Sequence, residues 1–236
     1  MRLYKYTMAE FGLSAIRERK LKVTTIADAN DPNEWLPVMR DPNTGFDWNA
    51  DPEYRGQFRY RWSHVYGFVS FSMEYNNLLM WGHYADKFRG MVLVFNVLDE
   101  SKVIKVDYQS SRFNIGTSEV GNPSVKTNGE LIRRKDPAWG YEKEYRALIN
   151  LKACTTKRLA NSDTIYFTPF EPAIALIGVV LGSECTVTVE DIHWAFKQNP
   201  PIGFSIVQLA ADSPTYCLVV SDHKAWNGVD WVSQAF

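Results

Sequence analysis

Apolar and polar residues alternate along this chain in short runs, and the period of each run predicts an element. Residues 3–7 read as a first strand. Thr7-Met8-Ala9-Glu10 fits a capping box, with Thr7 as cap and Glu10 reaching back. The helix beyond it puts Ala9, Leu13 and Ile16 on one face. It runs out in Arg17, Arg19 and Lys20, the sign that a helix C-terminus favours. Leu21-Lys22-Val23-Thr24 alternates like a strand. From 28 to about 56 the chain is rich in Asp, Asn, Pro and Gly, which predicts a long loop.

Phe58-Arg59-Tyr60-Arg61-Trp62 alternates aromatic and basic residues, as a strand with one aromatic and one cationic face would. It reads either as an amphipathic surface strand or as a grip on phosphate and base. Residues 67–73 form a further strand, on which Ser70 and Ser72 share a face. Asn76 or Asn77 caps a helix running to about Phe88 and closed by Gly90, with Met80 below Tyr84 and Trp81 below Ala85. Met91-Val92-Leu93-Val94-Phe95 is continuously apolar and predicts a strand buried on both faces. The stretch 108–136 is a polar excursion without a clear period, and 173–181 is another buried strand. Thr188 caps a short helix with Ile192, Ala195 and Phe196, and 216–220 is a last strand.

Short strands and helices mixed without regular alternation predict an α+β fold, with small mixed sheets and short helices. No domain boundary is evident, so 1–236 reads as a single domain, with 183–236 as a C-terminal extension of it. The net charge of -1 gives no overall attraction for polyanions, which leaves only local basic patches for such partners. Cys154, Cys185 and Cys217 lack metal-ligand spacing and read as three small buried thiols in a reducing cytoplasm. His64, His83, His193 and His223 are scattered, so no metal is expected. No apolar run reaches the ~20 residues of a membrane span, which implies a cytoplasmic protein without a membrane partner. Phosphate-loop, dinucleotide-fold and nucleophile-elbow motifs are absent.

The chemistry concentrates in Trp139-Gly140-Tyr141-Glu142-Lys143-Glu144-Tyr145-Arg146. On a strand, Glu142 and Glu144 stand on one face, with Tyr141, Lys143 and Tyr145 on the other. Two such carboxylates repel unless a cation, a ligand or a shared proton intervenes. Spacing alone allows either a surface pair neutralised by nearby Lys or Arg, or a site on a rigid strand.

Ser70-Phe71-Ser72, the helix Trp81-Gly82-His83-Tyr84-Ala85-Asp86 and Tyr141-Glu142-Lys143-Glu144-Tyr145-Arg146 occur in an order that resembles a widespread bacterial family of unknown function. Tyr4-Lys5-Tyr6 and Asn30-Asp31-Pro32 belong to the same set, which covers roughly 3–182. In that family an aromatic and an acidic residue usually follow the Pro, whereas Asn33-Glu34 stands here. The order of parts is also similar to the ADP-ribosyltransferase fold, with its split sheet, Ser-x-Ser strand, aromatic wall and Glu-x-Glu strand. That resemblance implies an enzyme that transfers ADP-ribose from NAD, its substrate, to a protein or nucleic-acid acceptor.

By the same resemblance, Glu144 would stabilise the oxocarbenium-like ribose and Glu142 would deprotonate the acceptor. Lys5, Tyr6, Ser70, Ser72, Trp81, His83 and Tyr84 would hold the NAD. Arg59, Arg61 and Arg146 would meet its pyrophosphate. Lys5 and Tyr6 stand where a His or Arg is expected, and a lysine cannot reproduce a bidentate guanidinium. The resemblance further implies a toxin or phage-defence effector, with an antitoxin or other inhibitor protein as partner. The alternative is a non-catalytic module that binds a nucleotide or nucleic acid, with Tyr60, Trp62 and Trp81 stacking on bases.

Overall fold

The structure is a computed structural model. It describes residues 1–236 apart from 42, 116–124, 162, 213 and 236, and apart from the side chains of 49, 125 and 126. The chain opens with β1 (Arg2–Thr7), α1 (Ala9–Glu18) and β2 (Lys20–Thr25). A loop leads to α2 (Pro52–Ser63), β3 (Tyr66–Ser72), α3 (Leu78–Tyr84) and β4 (Met91–Val97). The short β5 (Ile104–Lys105) and β6 (Asp107–Tyr108), then α4 (Val125–Arg133) and β7 (Arg134–Lys135), precede β8 (Glu144–Asn150). There follow β9 (Thr155–Arg158), β10 (Thr164–Pro169), β11 (Ile174–Leu181), α5 (Val189–Ala195), β12 (Ser205–Ala211), β13 (Leu218–Trp226) and β14 (Trp231–Ser233).

The fold is α+β. One twelve-stranded mixed sheet runs β14-β13-β12-β11-β4-β1-β3-β2-β10-β9, with β8 beside β3 and β5 beside β8. β6 and β7 form a separate parallel pair. The decisive feature is the edge of β3. On one side it pairs with β8 along its whole length, from Tyr66 opposite Asn150 to Ser72 opposite Glu144. On the other side β2 takes only Gly67 and Phe68, and β1 takes only Ser72, opposite Tyr4. Among the described residues β3 has no strand neighbour on that side between those contacts, so the sheet is split there. Side chains rather than a ladder must fill the opening.

Three apolar clusters surround the split. Leu3, Ile16, Phe71, Leu93 and Phe95 pack on the α1 side. Ile26, Trp35, Phe58, Phe68 and Ile132 pack around α2 and α4. Tyr6, Met80, Trp81, Val92 and Val180 pack beneath α3. α1 lies close on β4, because Gly12 leaves room where a Cβ would run into the Met91 sulfur.

Several expectations are corrected. Thr7 is the last residue of β1, and Met8 precedes α1 without a side-chain cap. The run 58–62 is helical. Asp51 accepts from the Glu53 N–H and Pro52 opens the helix, the usual start signals. Phe58 and Trp62 share a face in a strand and in a helix alike, so Tyr60 separates the two. It is 66% exposed while Phe58 is 3% exposed. The loop after β2 therefore ends at Asp51, short of 56.

α3 stops at Tyr84 instead of Phe88, because Asp86, Lys87 and Phe88 all turn left-handed. Gly90 then passes against the Thr7 and Ala85 carbonyls, where a Cβ would collide. The polar excursion holds β6, α4 and β7, and its residues 116–124 lie outside the described residues. The strand at 216–220 is the start of β13, and β14 follows it. Cys154 and Cys185 are half-buried and Cys217 is exposed, so the thiols are not the buried trio expected. No described helix is long and apolar enough to cross a membrane.

Candidate active site at the split sheet

Glu142 and Glu144 come together, but not as neighbours on one strand. Asp136 accepts from the Ala138 N–H and Pro137 starts a 3-10 turn, Pro137–Glu142. Lys143 then adopts φ 44°, and β8 begins only at Glu144. The left-handed residue swings the two carboxylates to one side. Glu144 is fixed by its own N–H, which donates to the Tyr108 hydroxyl at 2.9 Å. Lys135 arrives beside them through the β6–β7 pair, in which Tyr108 lies opposite it.

The carboxylates share two cations. Lys135 Nζ donates to Glu142 Oε2 at 2.6 Å and to Glu144 Oε2 at 3.2 Å. Arg146 grips Glu144 bidentately, Nε to Oε1 and Nη2 to Oε2, both at 2.8 Å. Its Nη1 donates to the Ile132 carbonyl at 3.0 Å, and its guanidinium lies over Phe68. Glu34 closes the cluster, 3.0 Å from Lys135 and 2.7 Å from Arg146. Both contacts are buried ion pairs. All five groups are buried.

Charge explains the protonation behaviour. Three carboxylates face two cations, so one carboxylate is always under-compensated. Burial would raise Glu144, but the Arg146 and Lys135 charges overcome it and hold the group down at about 2. Glu142 goes the other way. Burial raises it, the Glu144 charge adds to the rise, and Lys135 and Tyr84 offset this only partly. Burial also opposes the Lys135 charge, yet Glu144 and Glu34 together hold its pKa above the ordinary lysine value.

Tyr84 donates to Glu142 Oε1 at 2.6 Å and accepts from Asn30 Nδ2 at 2.7 Å. Burial and the bond to Glu142 raise the Tyr84 hydroxyl well above the usual phenol range. Asn77 positions this wall. Its side-chain oxygen caps α3 and its Nδ2 donates to the Tyr141 carbonyl at 3.1 Å.

Asn30, Tyr84, Lys135, Glu142, Glu144 and Arg146 line a cavity of about 70 Å³ in the split, with Tyr4, Lys5, Tyr6, Ser70 and Ser72 on its other walls. At roughly 10–15 Å³ per water, the cavity has room for several waters. It shares Lys5, Tyr6 and Tyr84 with a larger groove of about 420 Å³ on the α1 side. On its far side it shares Lys135 with a polar pocket of about 430 Å³.

Of the residues expected at the site, Glu142, Glu144, Lys5, Tyr6, Ser70, Ser72, Tyr84 and Arg146 line this cavity. The others lie elsewhere. Trp81 is fully buried in the α3 cluster and donates its indole N–H to the Tyr75 carbonyl at 2.6 Å. His83 is exposed, with Nδ1 3.1 Å from the Tyr141 hydroxyl. Arg59 donates to the Ile26 carbonyl at 2.7 Å and to the Pro32 carbonyl, stapling the loop that carries Glu34. Arg61 is exposed on α2. Arg146 is committed to Glu34 and Glu144. Sequence reasoning missed Glu34, Lys135, Asn30 and Tyr108 as members of the site. The acidic Glu34 near Asp31-Pro32 was the one signal available for this group.

Residues 80–147 match the model of a family described as a protein of unknown function, DUF2971. No curated protein and no solved structure matches the chain. The matched stretch contains Tyr84, Lys135, Glu142, Glu144 and Arg146, five of the groups that meet at the split. Over that stretch, the chain resembles a family whose function is unknown.

Proposed function

We propose that this protein cleaves the nicotinamide–ribose bond of NAD and passes ADP-ribose to a nucleophile on a protein or nucleic acid. The observation that carries the reading is the carboxylate pair on Lys135, whose members are pushed in opposite directions. Adjacent carboxylates with separated pKa values suit two different roles. Glu144, ionised at any ordinary pH, suits electrostatic stabilisation of the ribosyl oxocarbenium ion. Glu142, with its raised pKa, is the better proton acceptor near neutrality.

The bond order balances. The C–N bond breaks with its electrons going to nicotinamide, which leaves neutral. The acceptor oxygen or nitrogen attacks the ribose carbon, and its proton passes to Glu142. With all three carboxylates ionised, the cluster of Glu34, Glu142, Glu144, Lys135 and Arg146 carries a net charge of -1 (three carboxylates against two cations). That suits a cationic pyridinium ring next to Tyr84. The ring would enter through the split, past Tyr84.

A second reading, a nucleotide-binding module without catalysis, is favoured by one fact. Both Glu144 oxygens are already held by cations. Nicotinamide release from labelled NAD, with and without cell lysate, separates the two. The enzyme reading expects release that falls at least 100-fold in Glu142→Gln and in Glu144→Gln, with melting curves confirming folded protein. Nuclease and protease digestion of the labelled product then identifies the acceptor class. No release with any lysate, or release unchanged in Glu142→Gln, sinks the enzyme.

A further inference from the structure

The α1 side of the split carries a different chemistry from the cavity. Its groove is walled by α1, β2, β9 and β10 and is lined by Lys5, Lys20, Lys22 and Lys157 against a single acid, Glu18. Glu18 is already paired with Lys20 at 2.7 Å. Lys22 and Lys157 are exposed, and Lys5 is half-buried at the base. Among the described residues none of these three lysine side chains has a hydrogen bond or an ion pair, although Lys5 feels the charge of Glu144 and Lys157 that of Glu18. A half-buried ammonium without a partner is costly, and burial lowers Lys5 to about 8 despite the charge of Glu144.

The remaining walls are apolar. Phe11 is 57% exposed, and the Phe167 ring lies under Lys20 at 4.9 Å. The groove holds about 420 Å³, within the size of small-molecule sites, and it shares Lys5, Tyr6 and Tyr84 with the cavity as common walls. Three unpaired cations select a multiply charged anion. Aromatic rings beside them select a flat base over a flexible chain.

We infer that this groove binds a nucleoside diphosphate, its phosphates on Lys5, Lys22 and Lys157 and its base against Phe11 and Phe167. This deepens the proposed function by moving the phosphate contacts away from Arg59, Arg61 and Arg146. It rests on that reading only in treating the ADP as half of the reacting ligand. Lys5, at the junction, then binds phosphate on one side and faces the carboxylate cavity on the other.

The probe is ADP, titrated calorimetrically into the intact protein, with adenosine and decanoate as comparisons. The expected result is saturable ADP binding, at least 10-fold weaker for adenosine and for decanoate. Lys5→Met should weaken ADP at least 10-fold, as should the surface double variant Lys22→Met with Lys157→Met. Arg61→Met should leave it unchanged. The double variant keeps the test decisive if Lys5→Met misfolds. ADP affinity unchanged in the double variant, adenosine binding as tightly as ADP, or decanoate outcompeting ADP overturns the inference. If ADP binds through these lysines but no nicotinamide is ever released, the groove stands and the NAD chemistry falls. If nicotinamide is released while ADP does not bind, the groove falls and the chemistry stands.

Discussion

The cavity side of the split and its α1 side treat charge in opposite ways. In the buried cluster beside the cavity, Glu34, Glu142 and Glu144 each contact Lys135 or Arg146, and both of those cations are buried and committed. In the groove, the side chains of Lys5, Lys22 and Lys157 form no ion pair among the described residues, and the lining carboxylate Glu18 is paired with Lys20. Buried charges must be neutralised within the fold, because desolvation costs more than an unpaired ion can recover. Half-exposed charges can wait for a ligand. The pairing pattern therefore separates groups that shape the site from groups free to recognise something.

The largest expected effect breaks the cavity side. Arg146→Met removes one of the two cations that Glu144 and Glu34 share, leaving them only Lys135, and should cost about 3–5 kcal/mol of folding stability. Urea unfolding measures it, and an unchanged midpoint would mean the cluster is not integral to the fold. A related effect appears with acid. Glu144 titrates near 2 in the folded protein against an ordinary value of 4.5. Its contribution, about 3 kcal/mol, is present above pH 4.5 and fades as pH falls toward 2. Glu144→Gln should flatten that acid limb of the stability curve.

Tyr84→Phe is smaller. It removes one hydrogen bond to a carboxylate, worth about 1.5–3 kcal/mol, and its loss raises Glu142 further. The acid limb of nicotinamide release should then move to higher pH. Smallest of all, Lys22→Met and Lys157→Met should each change stability by no more than about 0.5 kcal/mol. A larger loss in melting experiments would show that these lysines are structural and would erase the contrast between the two sides.

Much of the fold was legible. Residues 91–95, 173–181 and 188–196 carry periods and caps with one interpretation, and β4, β11 and α5 lie there. The run 58–62 was not, because Phe58 and Trp62 fall on one face at period 2 and at period 3.6 alike. The start signal Asp51-Pro52 lay outside the alternating run that suggested a strand. β10 and β12 went unseen as well, and so did β9, for a different reason. β9 is exposed throughout, and no core face imposes a pattern on it.

The site was half legible. The Ser-Phe-Ser strand pointed to the split, because strand residues two apart share a face, whereas Glu142 and Glu144 meet through the left-handed turn at Lys143 and not through strand spacing. The sequence by itself determined the α+β mixture of short elements and the presence of two carboxylates that needed an explanation. Only the tertiary structure decided what answers them. Glu34 lies more than 100 residues before Glu142, and Lys135 reaches the pair through the β6–β7 register. The left-handed turn at Lys143 aims both carboxylates at that one ammonium. Local periodicity carries no information about such convergence, since it depends on which strands pair, at what register, and where the sheet is left open.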